Sequence, residues 1–148
     1  MAVIVASREL SDDEFLTDLT NCELPPSLFR HGDHLRFAWL LLHRMPFDEA
    51  LRLIREGIQR FAAHHGAAHI YHETLTTAWV KLLATHREAS FEEFIVSNEH
   101  LLKVELLHRF WTPTVLHSEA AKLSWVPPDK KALPAIWSAR PRAWPLNR

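Results

Sequence analysis

Residues 34–45 read HLRFAWLLLHRM, and this stretch is apolar on nearly every side of a helix. A helix without a continuous polar face belongs in the interior of a domain, so we expect it to be the central helix. Asp33, preceded by Gly32, is placed to cap its first turn. The stretch therefore predicts an α-helical core around which the rest of the chain packs.

A helix is predicted before this central segment. Ser11 and Glu14 have the spacing of a capping box, which opens a helix by satisfying two of its free N–H groups. This first helix should end by Leu24, because Pro25 and Pro26 remove donors and restrict the residue before them.

Two more helices are predicted after it. Pro46 opens the third, whose apolar residues recur at helical spacing until Gly66 ends it. The fourth is predicted over 67–86, AAHIYHETLTTAWVKLLATH, with Trp79 on its apolar face.

Ser90 caps a fifth helix, which should run to about Phe110 with a break near 97–100 and end at Pro113. A short turn of helix is expected over 118–123. Together these segments predict an all-α fold, a single bundle of about five helices over residues 1–125.

The last residues, 126–148, differ in composition from the bundle. They hold five of the nine prolines and have a charge of +5 − 1 = +4. Such a segment is not helical, and it is either disordered or laid across the bundle. Because exposed tryptophan is costly, partial docking is favoured, through four apolar residues: Leu133, Ile136, Trp137 and Trp144.

Composition excludes several classes of function. The net charge of −1 in 148 residues favours neither nucleic acid nor an anionic membrane as a partner. Cys22 is the single cysteine, so an internal disulfide and a Cys-rich zinc site are excluded and a reducing cytoplasm is expected. We expect no secretory signal in MAVIVASREL, and no nucleotide-binding or serine-hydrolase motif occurs.

The chain has 11 histidines, and two of them point into the predicted core. At 100° per residue, His34 lies within the apolar stripe of the central helix and His31 lies 60° to one side. His72 lies within the stripe of the fourth helix, with Glu73 at its edge. These four residues are therefore expected to face one another between the second and fourth helices.

This constellation predicts a metal centre. Imidazole is the commonest metal ligand in proteins, and helix bundles build metal sites from facing helices. His31, His34, His72 and Glu73 are the predicted ligands of one divalent transition metal, which is Zn, Fe, Mn or Cu. Glu73 is also the candidate catalytic residue, as a base acting on metal-bound water, and Asp33 is an alternative oxygen ligand.

Several interpretations stay open. With an open coordination position, the protein would be a metal-dependent hydrolase or oxidoreductase acting on a small-molecule substrate, and a closed, structural metal site is also compatible with the sequence. The rival is a non-catalytic interaction module whose buried histidines hydrogen-bond to carbonyl or carboxylate groups. A haem or small-molecule site lined by Trp and His is a third interpretation. A homodimer is compatible with each of them.

Some segments resemble an uncharacterised family of small bacterial helical proteins that has no assigned activity. The resemblance lies in HGDHLRFAWLLL, IYHETLTTAWVKLL, FEEFIVSNEHLL and the VPPD stretch, and it covers most of residues 10 to 134. Members share H-x-x-H-L-R-x-A-W and Y-H-E-T segments, which implies that His31, His34, His72 and Glu73 occupy motif positions. The chain departs from the family at 109–112, where similar chains are rich in tyrosine.

Overall fold

The computed structural model describes residues 4–136, and every regular element within that range is helical. Five helices have eight or more residues, which confirms the predicted all-α bundle of about five helices. The α-helices in chain order are α1 Asp12–Thr20, α2 His31–Leu42, α3 Phe47–His64, α4 Glu73–Leu83, α5 Phe91–Asn98, α6 Pro113–Leu116 and α7 Glu119–Leu123. Short 3-10 turns lie at Pro26–Leu28, Ala68–Ile70, Glu99–Leu101 and Val104–Arg109.

Helix α2 is the centre of the bundle, as its sequence predicts. Nine of its twelve residues are buried, and it packs against α3, α4 and α5. Trp39 is almost fully buried and stacks on Phe94 of α5. The core of the domain is therefore built outward from the apolar stretch at 34–45.

Helix α2 begins earlier than predicted, and Asp33 is not its N-cap. The helix begins at His31, and Arg30 occupies the cap position. Asp33 is fully buried and accepts hydrogen bonds from the Arg30 N–H at 2.8 Å and from the Ser7 hydroxyl at 2.6 Å. Arg36, one turn on, donates to the Ser7 carbonyl oxygen and to Asp12. These contacts fasten the N-terminal segment to α2.

Helix α4 begins later than predicted. Gly66 ends α3 with a φ of 73°, a left-handed conformation that favours glycine. The chain then makes the 3-10 turn Ala68–Ile70, and α4 begins only at Glu73. His72 is its N-cap. The prediction of one helix over 67–86 is wrong at residues 67–72, because it treated the cap residue His72 and the turn before it as part of the helix.

The first helix agrees with its prediction, whereas the fifth is shorter than predicted. Helix α1 has the expected capping box and ends at Thr20, ahead of the predicted limit at Leu24. Helix α5 ends at Asn98, close to the predicted break, and Pro113 begins α6 rather than ending α5. Proline suits the first position of a helix, where its missing N–H is no loss.

A smaller apolar cluster lies beyond α4. It is centred on Trp111, which is fully buried and donates from its indole N–H to the Val126 carbonyl oxygen at 2.9 Å. Leu133 packs against this cluster, whereas Ile136 packs against the main core. Residues 126–136 thus dock on the bundle without forming a helix. The predicted anchors Trp137 and Trp144 lie outside the described residues.

Within 4–136, no helix combines the length and the apolar character needed to cross a bilayer.

Candidate small-molecule pocket

A cavity of about 480 Å³ lies between α2, α3 and α4, and the turn Ala68–Ile70 borders it. Its volume falls in the usual range for small-molecule sites, about 300–1,000 Å³. The wall is mainly aliphatic and aromatic, and no Asp, Glu, Lys or Arg of the described chain contributes to it. The residues that line it are Pro26, Phe29, His31, His34, Leu35, Ala38, Ile54, Ile58, Phe61, Ala62, His65, Ala67, Ile70, Tyr71, His72, Leu75, Thr76, Trp79, Val80 and Val104.

The rim of the cavity is apolar as well. Ile70 is 67% exposed and Val104 is 55% exposed, and both belong to the lining. Large aliphatic side chains at a solvent-facing rim leave apolar surface in water. A molecule entering from solvent would therefore meet apolar surface before it reaches the interior.

His34 stands on the wall of the cavity with one ring nitrogen engaged. Its ring stacks on Phe29 at a centroid distance of 3.9 Å, and its Nδ1 lies 2.7 Å from the Arg30 carbonyl oxygen. A carbonyl only accepts, so Nδ1 carries the proton and Nε2 keeps its lone pair in the neutral ring. Burial lowers the pKa of His34, which favours this neutral form.

His31 has the opposite tautomer. Its Nε2 donates to the Leu102 carbonyl oxygen at 3.2 Å, so Nδ1 keeps the lone pair. The ring meets Trp79 edge-on at a centroid distance of 5.0 Å. Burial lowers the pKa of His31 too. The wall thus holds two neutral imidazoles, each with one acceptor nitrogen.

His72 uses both of its ring nitrogens within the fold. Its Nδ1 accepts from the Leu75 N–H at 3.1 Å, which caps α4, and its Nε2 donates to the Leu116 carbonyl oxygen at 3.0 Å. Burial lowers the pKa of His72, and the nearby Lys122 and His117 lower it further. His72 therefore joins α4 to α6 as a structural hydrogen-bonder at the edge of the cavity.

Glu73 lies behind the wall and holds Tyr71. Its carboxylate forms an ion pair with Arg55 of α3 at 2.7 Å and accepts from the Tyr71 hydroxyl at 2.8 Å. Burial, with the hydrogen bond to Glu73, raises the pKa of Tyr71. The Thr77 hydroxyl also points to Glu73, at 3.4 Å. This arrangement makes Glu73 a positioning residue for Tyr71.

The predicted metal ligands are thus partly brought together. His31, His34 and His72 line one cavity, whereas Glu73 lies outside its lining, and all four have hydrogen-bond partners in the protein. Over residues 4–136, no group of three or more His, Cys, Asp or Glu side chains is arranged to hold a metal ion.

Sequence reasoning missed Tyr71 and the rim. Tyr71 lies ahead of the start of α4 and lines the same cavity as the three histidines. The available signal was the pair Ile70 and Tyr71, two large and mainly apolar side chains in the segment that follows the helix-ending Gly66. His65 is exposed at the edge of the cavity.

No known protein family, curated protein or solved structure matches this chain. The family resemblance of its H-x-x-H-L-R-x-A-W and Y-H-E-T segments stays a prediction.

Proposed function

We propose that this protein binds a small, uncharged, mainly apolar organic molecule in the pocket between α2, α3 and α4. One observation carries the proposal: a cavity of about 480 Å³ has a mainly apolar lining without a carboxylate, ammonium or guanidinium group from the described chain. A charged ligand would be desolvated there without a counter-ion, which is strongly unfavourable. An apolar ligand would lose no such hydration.

The expected affinity follows from the buried area. A ligand the size of one aromatic side chain buries roughly 200 Å², worth about 5 kcal/mol at 25 cal/mol per Å². This corresponds to a dissociation constant of roughly 0.2 mM. A two-ring ligand that buries roughly 300 Å² would gain about 7.5 kcal/mol and reach the micromolar range.

Binding can be tested with N-phenylnaphthylamine, an uncharged probe whose fluorescence rises in apolar surroundings. We expect saturable binding of one molecule per chain. Ala62→Trp should weaken binding at least tenfold, because Ala62 lines the cavity and a tryptophan there would fill it. Ala63→Trp is the matched control, since Ala63 is exposed and lies outside the lining.

Equal weakening by both tryptophan variants, or no saturable binding by the parent protein, would contradict the proposal. Circular dichroism of each variant separates loss of the pocket from loss of the fold.

A metal site in the same pocket is the second candidate function. It is favoured by the acceptor nitrogens of His31 and His34, which stand on one wall. His72 and Glu73 would have to exchange their present partners for the metal. A hydrolytic or oxidative reaction follows only if the metal binds.

Elemental analysis after reconstitution with Zn, Fe, Mn and Cu tests this second candidate. A metal site requires near-stoichiometric metal in the parent protein and its loss in His31→Ala and His34→Ala. Parent protein without bound metal would exclude it. The interaction-module alternative, in which the basic, Trp-bearing tail at 126–148 helps to form a partner surface, stays a prediction.

A further inference from the structure

The polar atoms of the pocket wall differ in what they offer a ligand. The Tyr71 hydroxyl donates to Glu73, so its hydrogen is not free for a ligand. His72 spends both ring nitrogens within the fold. His34 Nε2 and His31 Nδ1, in contrast, have no protein partner among the described residues.

Both of these nitrogens are acceptors. Each ring donates its single N–H to a backbone carbonyl, of Arg30 or of Leu102, which fixes the tautomer and leaves a lone pair on the other nitrogen. The two residues are one helical turn apart on α2, a spacing that places side chains on the same face. The pocket therefore combines aromatic walls with two neighbouring acceptors.

We propose that the ligand is an uncharged ring compound that carries a hydroxyl donor, a phenol being the simplest case. Its ring would lie among Phe29, Phe61 and Trp79, and its O–H would donate to His34 or His31. This inference rests on the proposed function and specifies the ligand's class.

Other ligand classes fit the wall less well. The oxygens of a carboxylate only accept hydrogen bonds, and they would face the acceptor nitrogens of His31 and His34. The described lining has no cation to pair with the carboxylate. An ether or ketone has no hydrogen to donate and would leave both imidazole lone pairs without a partner in a desolvated site, which costs free energy. A hydrocarbon also lacks a hydrogen-bond donor for these two nitrogens. A neutral hydrogen-bond donor fits the wall better than these classes, because it gives one of the two imidazole lone pairs a partner.

Displacement of bound N-phenylnaphthylamine by four matched ligands tests the inference. They are para-propylphenol, para-propylanisole, propylbenzene and para-propylbenzoate, compared at about pH 7.5, where the phenol is uncharged and the benzoate is ionised. We expect the phenol to bind about tenfold more tightly than the anisole or the hydrocarbon, as one buried hydrogen bond allows. The benzoate should bind most weakly.

The outcomes separate the two proposals. Equal affinity for phenol, anisole and hydrocarbon would overturn the donor inference and leave the apolar pocket standing. Tighter binding of the benzoate would overturn it in favour of an anion site. Failure of all four ligands and of the probe to bind would overturn the proposed function itself.

The variant His34→Phe tests whether His34 Nε2 is the acceptor for the ligand hydroxyl. The variant keeps an aromatic ring against Phe29 but removes Nε2, so the preference for phenol over anisole should fall to about twofold or less. His64→Phe is the control, because His64 is exposed and outside the lining. An unchanged preference in both His34→Phe and His31→Phe would contradict the assignment. The ligand series on the unmodified protein stands even if a variant fails to fold.

Discussion

The most constrained side chain of the pocket region is His72. Its Nδ1 accepts the Leu75 N–H and its Nε2 donates to Leu116, so only one neutral tautomer satisfies both bonds. Protonation would place a hydrogen on Nδ1, where the backbone N–H already points. The cap therefore depends on the imidazole staying neutral, which its lowered pKa favours.

Replacing this cap should destabilise the fold. His72→Ala removes the acceptor for Leu75 and leaves the Leu116 carbonyl without its donor. We expect a loss of about 1–2 kcal/mol in the free energy of unfolding, measured by urea denaturation. His72→Asn should lose less than half as much, because asparagine is a good N-cap. Equal losses in the two variants would contradict the role of His72 as a cap.

At the scale of the helices, Gly57 sets how closely α3 approaches α2. A Cβ built at Gly57 would lie 2.9 Å from Phe37 Cζ and 3.2 Å from Phe37 Cε2. Phe37 is itself 4% exposed, and its ring packs edge-on against Phe29 of the pocket wall. The absence of a side chain at Gly57 therefore lets the end of the Phe37 ring approach α3 closely.

Gly57→Ala should be destabilising despite alanine's better helix propensity. The propensity gain is about 0.5–1 kcal/mol, whereas overpacking costs about 1–3 kcal/mol. We expect a net loss of about 1 kcal/mol in the free energy of unfolding. In a Phe37→Leu background, where the clash is relieved, the same change should be neutral or stabilising. A stabilising Gly57→Ala in the parent protein would show that the two helices separate freely.

The helix boundaries also decide how much of the site was predictable from sequence. Periodicity identified α2 and α3 correctly because their apolar residues repeat over several turns. It extended α4 backward across His72, because an imidazole cap has no distinctive spacing and Ala67–Ala68 suits a helix. That error placed His72 on the interior face of a helix, whereas it caps one.

At the scale of the whole molecule, buried histidines couple stability to pH. Burial lowers the pKa of His31, His34, His43 and His72 below its ordinary value. The histidines of the unfolded chain therefore bind protons from about pH 6.5 downward, whereas those four histidines in the folded chain bind protons only at lower pH. Stability is fully present above that pH and is lost as the pH falls below it.

Urea denaturation at about pH 7.5 and pH 5.5 should show this loss. Each such histidine contributes at most about 1.4 kcal/mol per pH unit. His72→Asn removes one of these groups, so its stability should vary less steeply over the same interval. Stability that is constant or higher at the lower pH would contradict the assignment of neutral, buried histidines.

The pocket itself could be foreseen only in part. Sequence pattern placed His31 and His34 toward the core from their helical positions on α2, and it placed His72 in the same region by treating a cap residue as helical. It did not reveal that they surround a cavity, since a void depends on side-chain volumes and on the turn Ala68–Ile70. Nor did it reveal that Glu73 pairs with Arg55, a contact between helices that no local spacing encodes.

Methyl NMR of the full chain with para-propylphenol tests the central claim most directly. We predict saturable shifts at the methyl groups of Ile54, Ile58 and Val80, which line the pocket and belong to the main core, and little change at Leu107 and Leu116 in the second cluster. Shifts confined to the second cluster or to exposed residues, or no saturable shifts at all, would contradict the assignment of this cavity as the ligand site.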